Sequence, residues 1–146
     1  MPYPRDRVYD FLDVMSNHEP FTNHMLQDWR YSGAERGVGS KATVTVKAAG
    51  RSEKVDIEVI AAERPSKIVE QNVGAAGRRI ATGTYTLEDL PNGGTGITFE
   101  YAWKQAPLSE RVAAPFVRAY LARGNRRAMA RLADELAVSP PPARTP

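Results

Sequence analysis

The chain has no cysteine, which excludes a disulfide framework, a thiolate nucleophile and a cysteine-ligated zinc or iron–sulfur centre. It has only two histidines, His18 and His24, and neither stands at a ligand spacing from Glu19 or Asp28, so no metal site and no cofactor are expected. The longest aliphatic run is Val59-Ile60-Ala61-Ala62, far short of the ~20 apolar residues that cross a bilayer as a helix. Arg5, Asp6 and Arg7 are followed by no apolar stretch, so no secretory leader is read and a cytoplasmic location is expected. Catalytic signatures are missing too. There is no Gly-x-Ser-x-Gly elbow and no His-Glu-x-x-His helix. The Gly37-x-Gly39-Ser40-Lys41 run has the wrong order for a phosphate loop and leads into a strand, where a helix start is needed.

What is present is the composition of one ordinary globular domain. The chain has 146 residues, of which 42% are hydrophobic and 25% charged. Twenty Lys+Arg against seventeen Asp+Glu leave a net +3, too mild a total for a nucleic-acid footprint unless it is gathered on one face. Arginine dominates the basic residues, which we read as codon bias, and no nucleic-acid partner is expected. One domain is expected over residues 1–137. The remainder, Val138-Ser-Pro-Pro-Pro-Ala-Arg-Thr-Pro146, is expected to be a disordered, polyproline-like tail.

Along the chain, Val8, Phe11, Leu12 and Met15 recur at helical spacing behind Pro4, which predicts a first helix ending near Ser16-Asn17. Glu19 to His24 predicts a short second one. Period-two segments follow: Trp29 to Ser32, Lys41 to Ala48, a strand with Val55, Ile57 and Val59 on one face, Lys67 to Val73, and Thr84 to Glu88. The turn Pro91-Asn92-Gly93-Gly94 closes a hairpin. The last strand sets Ile97, Phe99, Tyr101 and Trp103 on one face. A long helix is expected from Ser109 to Ala137, kinked or divided at Pro115 and loosened at Gly124. Phe116, Tyr120, Ala128, Leu132 and Leu136 are read as sharing much of one face. Short turns between strands imply an antiparallel sheet with one apolar face, which the long helix must cover.

The opening segment Pro4-Arg5-Asp6-Arg7-Val8-Tyr9-Asp10-Phe11-Leu12 resembles the first helix of the helix-grip superfamily. That superfamily comprises START lipid-transfer domains, Bet v 1 and bacterial polyketide cyclase/dehydrase-like proteins. Gly37-Val38-Gly39-Ser40 resembles the turn into a family strand. Gly83-Thr84-Tyr85-Thr86-Leu87-Glu88, Gly93-Gly94-Thr95 and Ile97-Thr98-Phe99 resemble the last hairpin. The likeness runs from Pro4 to about Leu136 and is one of fold. It implies an α+β domain: a curved antiparallel sheet of six to seven strands gripping one long C-terminal helix, with two short helices near the N-terminus. It also implies a ligand cavity between sheet and helix. The family begins with a strand ahead of the first helix, where here only Met1-Pro2-Tyr3 stand. The edge of the last strand is therefore expected to be open and to favour a homodimer.

The candidate ligand-binding residues are Trp29, Tyr85, Phe99, Tyr101, Trp103, Phe116 and Tyr120. They would suit a largely apolar, oxygenated ligand, and as a set they equally describe a packed core. Alternation over Val69 to Val73 favours turning Val69 and Val73 inward and Glu70 outward; the opposite parity would bring Glu70 into the cavity as an acid or base. His18 and His24 read as exposed loop residues. Arg123, Arg127 and Arg131 make a basic stripe, most simply a solvated helix face and otherwise a site for anionic lipid head groups. The expected function is binding of a small hydrophobic, lipid- or polyketide-like ligand, as carrier or sensor. The alternatives are a cyclase/dehydratase-type enzyme using His24, Tyr101 or Glu70, and a ligand-free protein-interaction module. Which residues would be catalytic stays open.

Overall fold

The period-two segments form six strands, and the two apolar stripes at helical spacing form the helices that close the sheet. A computed structural model of the protein describes residues 1–48 and 50–140. The order is α1 (Arg5–Leu12), a 3₁₀ turn (Met15–Asn17), α2 (His18–Thr22), β1 (Leu26–Gly33), β2 (Ser40–Ala48), β3 (Arg51–Glu63) and β4 (Lys67–Gly74). A second 3₁₀ turn (Ala75–Gly77), β5 (Arg79–Asp89), β6 (Thr95–Gln105), α3 (Leu108–Val112) and α4 (Ala114–Val138) complete it. The strands make one antiparallel sheet in the order β1-β2-β3-β4-β5-β6. This is the expected α+β helix-grip arrangement.

Register decides which side chains meet on the face toward α4. Val44 stands opposite Val55, Val59 opposite Glu70, Ile68 opposite Tyr85, and Leu87 opposite Ile97. Register shifts between Gln27 and Arg30, Val59 and Ala61, and Ile80 and Ala81 interrupt the ladders, as bulges that bend and twist a strand do. The core sits there, with Val8, Leu12, Phe21, Val44, Ile68, Leu87, Leu132 and Leu136 at 2% exposure or less.

The long helix divides where proline predicts. Ala113 leaves helical geometry (φ −83°, ψ 6°) and Pro115 occupies the first turn of α4, where its missing N–H costs nothing. The far end of α4 is tied down: the Arg7 guanidinium donates to the carbonyls of Leu136 (2.7 Å) and Ser139 (2.9 Å). It also lies over the Tyr3 ring at 4.3 Å. A cation on the last carbonyls satisfies acceptors that the helix leaves without a partner.

At the β6 edge, Met1 and Thr95 exchange backbone bonds (2.8 and 2.9 Å), and the Thr95 hydroxyl donates to the Tyr3 carbonyl. The first three residues thus cover the start of β6, and among the described residues β5 is its only strand partner. Of the expected tail, Val138 closes α4 and Ser139 is extended. Residues 141–146 lie outside the described residues.

Candidate functional site

The sheet side of the core holds a polar cluster that alternation points away from. Glu70 is buried at 5% exposure and His18 at 4%, so neither is the exposed residue expected. Glu70 faces inward because it shares its parity with Ile68, which is fully buried opposite Tyr85. Val69 and Val73 take the other face and are only half-buried. His18 is drawn in by the end of α1. That end leaves carbonyls without partners; Asn17 Nδ2 donates to the Phe11 carbonyl (2.9 Å), and His18 Nε2 lies 2.7 Å from the Leu12 carbonyl.

That contact fixes the chemistry of the imidazole. A carbonyl only accepts, so Nε2 carries a proton and Nδ1 is the variable nitrogen. Nδ1 faces Glu70 Oε1 at 3.5 Å, and Oε1 is buried without a hydrogen-bond partner. Two arrangements avoid opposing lone pairs: neutral imidazole with carboxylic acid, or imidazolium with carboxylate. Each places one proton between the two groups. Burial pushes the Glu70 carboxyl up from its ordinary value, and the facing His18 pulls it partly back. Tyr85 stands beside them, its ring 5.9 Å from the imidazole. Burial, and after it the Glu70 charge, holds the Tyr85 hydroxyl protonated far above its usual range.

The aromatic residues do not all converge. Tyr85 and Phe99 pack at 4.7 Å between ring centroids, and Trp29 stacks on Tyr31 at 5.8 Å. Gly83 makes room for Phe99: a Cβ at Gly83 would meet the ring at 3.0 Å. Tyr101 and Trp103 lie on the same face, opposite Gly83 and Ala81, and both are half-buried. Phe116 and Tyr120 depart from the expectation, with 81% and 46% exposure. The reason is helical phase. Each i+4 step overshoots a full turn by about 40°, so Phe116 lies about 160° around the helix from Leu132. The inward positions of the first half are instead Ala114, Val117, Leu121 and Asn125, all half-buried.

His24 takes a positioning role. Its Nε2 lies 3.1 Å from the Gly124 carbonyl, and Arg131 donates to its Nδ1 at 3.2 Å. Both nitrogens are engaged, and the turn after α2 is thereby joined to α4. Among the described residues no group of three His, Asp or Glu is placed to hold a metal ion.

The sheet face toward the first half of α4 is only partly buried. Beneath the first half of α4 the inward side chains Val46, Tyr101, Trp103 and Leu121 keep part of their surface in water, whereas Ala128, Leu132 and Leu136 are buried. Two cavities lie away from this face. One of about 260 Å³ sits between α1 and the end of α4, lined by Arg7, Phe11, Asn17 and Leu136. One of about 280 Å³ lies on the outer face of the sheet, lined by Thr43, Asp56, Gln71 and Val73. Arg79 is ion-paired with Glu53 on β3 and with Glu110 on α3 at 2.8 Å, and so holds α3 to the sheet.

No family model matches the chain, and no curated protein matches it in sequence. Solved structures do match in shape. The protein TTHA0849 from Thermus thermophilus superposes with a TM-score of 0.71 at 14% identity, over 95% of this chain and 94% of that one. Major latex-like protein 151 from Panax ginseng gives 0.67 at 12% identity, over 94% and 91%. Ara h 8.0201 gives 0.61 at 15% identity, over 90% and 92%. The near-complete coverage of both partners, with the six-stranded meander and the C-terminal helix, gives this chain the helix-grip fold of Bet v 1-like proteins.

Proposed function

We propose that the protein binds a small hydrophobic molecule in the cleft between the inner face of the sheet and the first half of α4. The observation that carries this reading is the contrast in burial along α4: Ala114, Val117 and Leu121 are half-buried, whereas Ala128, Leu132 and Leu136 are buried. A face that only completed a core would be dry along its whole length. The similarity in shape to Ara h 8.0201 and the ginseng major latex-like protein supports the same reading at the level of fold. The deep polar group suits a ligand that is apolar over most of its length with one oxygen or nitrogen at its tip. Titration with an environment-sensitive apolar fluorophore tests the reading. We expect micromolar binding that weakens about tenfold or more in Trp103→Ala and Tyr101→Ala variants. Equal affinity in folded variants would assign these side chains to packing alone.

A cyclase/dehydratase-type activity on a polyketide-like substrate is the second reading, favoured by the approach of His18 Nδ1 to within 3.5 Å of the buried, otherwise unpartnered Glu70 Oε1. Such a pair moves a proton without a net change in charge, which a buried site tolerates best. Incubation with a synthetic poly-β-ketone, followed by mass spectrometry, separates the readings. Loss of one water in the wild type and not in Glu70→Gln marks an enzyme; an unchanged ligand marks a carrier or sensor.

A further inference from the structure

Large apolar residues stand exposed along α3 and the start of α4. Leu108, Val112 and Phe116 are 76%, 77% and 81% exposed, and Tyr120 is 46% exposed. They follow one another at i+4 along α3 and the start of α4. Exposed large apolar side chains are ordinary when scattered singly. Four in succession on one segment, two of them aromatic, mark a contact surface.

The charges around this surface are of one sign. From Leu108 to Arg131 the sequence carries six arginines and a single acidic residue, Glu110. Glu110 is bound to Arg79, and Glu53 on β3 is bound to the same guanidinium. One internal arginine thus occupies both carboxylates at this rim. Arg111 and Arg118 flank the apolar residues. Lys47 and Arg51 stand at the β2–β3 hairpin, whose Lys47 carbonyl accepts from the Tyr120 hydroxyl at 3.3 Å. All four are exposed, and among the described residues none has a carboxylate partner.

We infer that this rim docks on an anionic lipid bilayer, with Leu108, Val112 and Phe116 inserted at the level of the head groups and Arg111, Arg118, Lys47 and Arg51 facing lipid phosphates. Apolar and aromatic side chains ringed by arginine are the composition of a segment that lies in a membrane interface. Each basic group near an anionic surface adds to the attraction, and salt screens it. The charge pattern selects a bilayer over a second copy of the chain, because two copies would oppose the same arginines. Among the described residues no helix is long and apolar enough to cross the membrane, so the contact is peripheral. It stands whether or not the cleft holds a ligand.

Flotation with vesicles of phosphatidylcholine alone, and of phosphatidylcholine with one-third phosphatidylglycerol, tests the inference on the full chain. Binding is expected to the anionic vesicles only, falling several-fold between low and physiological salt. Val112→Ser/Phe116→Ser is expected to reduce it about tenfold or more, and Arg111→Gln/Arg118→Gln about tenfold. All four positions are exposed, and an unchanged melting temperature checks that the fold is intact. The inference is overturned if wild type ignores anionic vesicles, if Val112→Ser/Phe116→Ser binds as wild type does, or if light scattering shows the apolar residues consumed in a dimer. Fluorophore binding in the cleft is expected to survive in both variants. Its loss in the wild type would instead count against the ligand-binding reading and leave the vesicle result standing.

Discussion

Between Ala128 and Leu136, α4 buries Ala128, Leu132 and Leu136, reaches Asn23 and His24 through Arg131, and has its final carbonyls held by Arg7. Between Ala114 and Asn125, the same helix leaves its inner face half-wet and its largest side chains pointing outward. The two halves contain similar residue types and differ in what lies beneath them. The second half rests on α1, α2 and the aliphatic part of the sheet. The first meets the β2–β3 hairpin through the Tyr120–Lys47 bond, and Met25 and His24 at Gly124. One helix thus joins a dry anchor that provides stability to a half-wet segment, beneath which the ligand cleft is proposed.

Unequal mutational sensitivity is the most direct way to break this comparison. Leu132→Ala should destabilise by about 3 kcal/mol through the cavity it leaves. In the overhang, Phe116→Ser should stay within about 0.5 kcal/mol, as exposed substitutions do. Urea denaturation measures both. Comparable losses would mean that α4 is anchored along its whole length.

Removing the clasp on the anchored end comes next. Arg7→Ala deletes two charged hydrogen bonds to the last carbonyls of α4 and should cost about 1–2 kcal/mol. The melting temperature should fall while fluorophore binding in the cleft is retained, because the cleft lies at the other end. Loss of binding together with stability would show that the halves move as one.

The buried carboxyl offers a pH-dependent contrast. Glu70 holds its proton above its ordinary pKa of 4.5, with burial as the main cause. Once the pH passes 4.5, the unfolded chain gives up this proton while the folded one resists. The stability of the neutral form is therefore complete below that value and is lost as pH rises through the folded-state pKa. Glu70→Gln removes the ionisation and keeps the shape. It should raise the melting temperature at pH 7 by about a few degrees and leave stability near pH 4 little changed. A variant less stable than wild type at pH 7 would show that the ionised pair with His18 stabilises the fold.

The smallest effect concerns the join between the halves. At Gly124 a Cβ would run into the Met25 side chain. Gly124→Ala should be close to neutral, the helix gain of about 1 kcal/mol being offset by displacement of Met25. In a Met25→Ala background the gain should emerge. Equal effects in both backgrounds would mean that the contact does not limit the helix.

How far the sequence discloses all this depends on whether local periodicity or tertiary register decides a position. β3 and β6 are legible from alternation because apolar residues occupy one parity: Val55, Ile57 and Val59 in one, Ile97, Phe99, Tyr101 and Trp103 in the other. β4 has apolar residues at both parities, and its register is set by Ile68 against Tyr85, a contact no local pattern contains. Glu70 follows that register into the core. His18 is hidden for a different reason: it looks like a loop residue, and only its role at the end of α1 buries it. A helix breaking near Ser16-Asn17 with two side-chain donors following is a usable signal, since carbonyls at such an end need partners. The Phe116–Leu136 stripe fails by simple geometry, because i+4 spacing carried through five steps turns across the helix.

The strand order has a consequence for how the chain reaches this structure. Each strand pairs with the next in sequence, so every ladder closes across a short connection and costs little loop entropy. The contacts that close the domain join residues more than 90 positions apart: Met1 with Thr95, and Arg7 with Leu136. Closures of that length come late, after the segments they join have formed. The meander should thus assemble first as a self-templating sheet and α4 should dock last. In native-state hydrogen exchange, the amides of β3 to β5 should open only on global unfolding, and those of Ala114–Asn125 through cheap local opening. An entrance for a ligand would then be the final folding step run a short way in reverse.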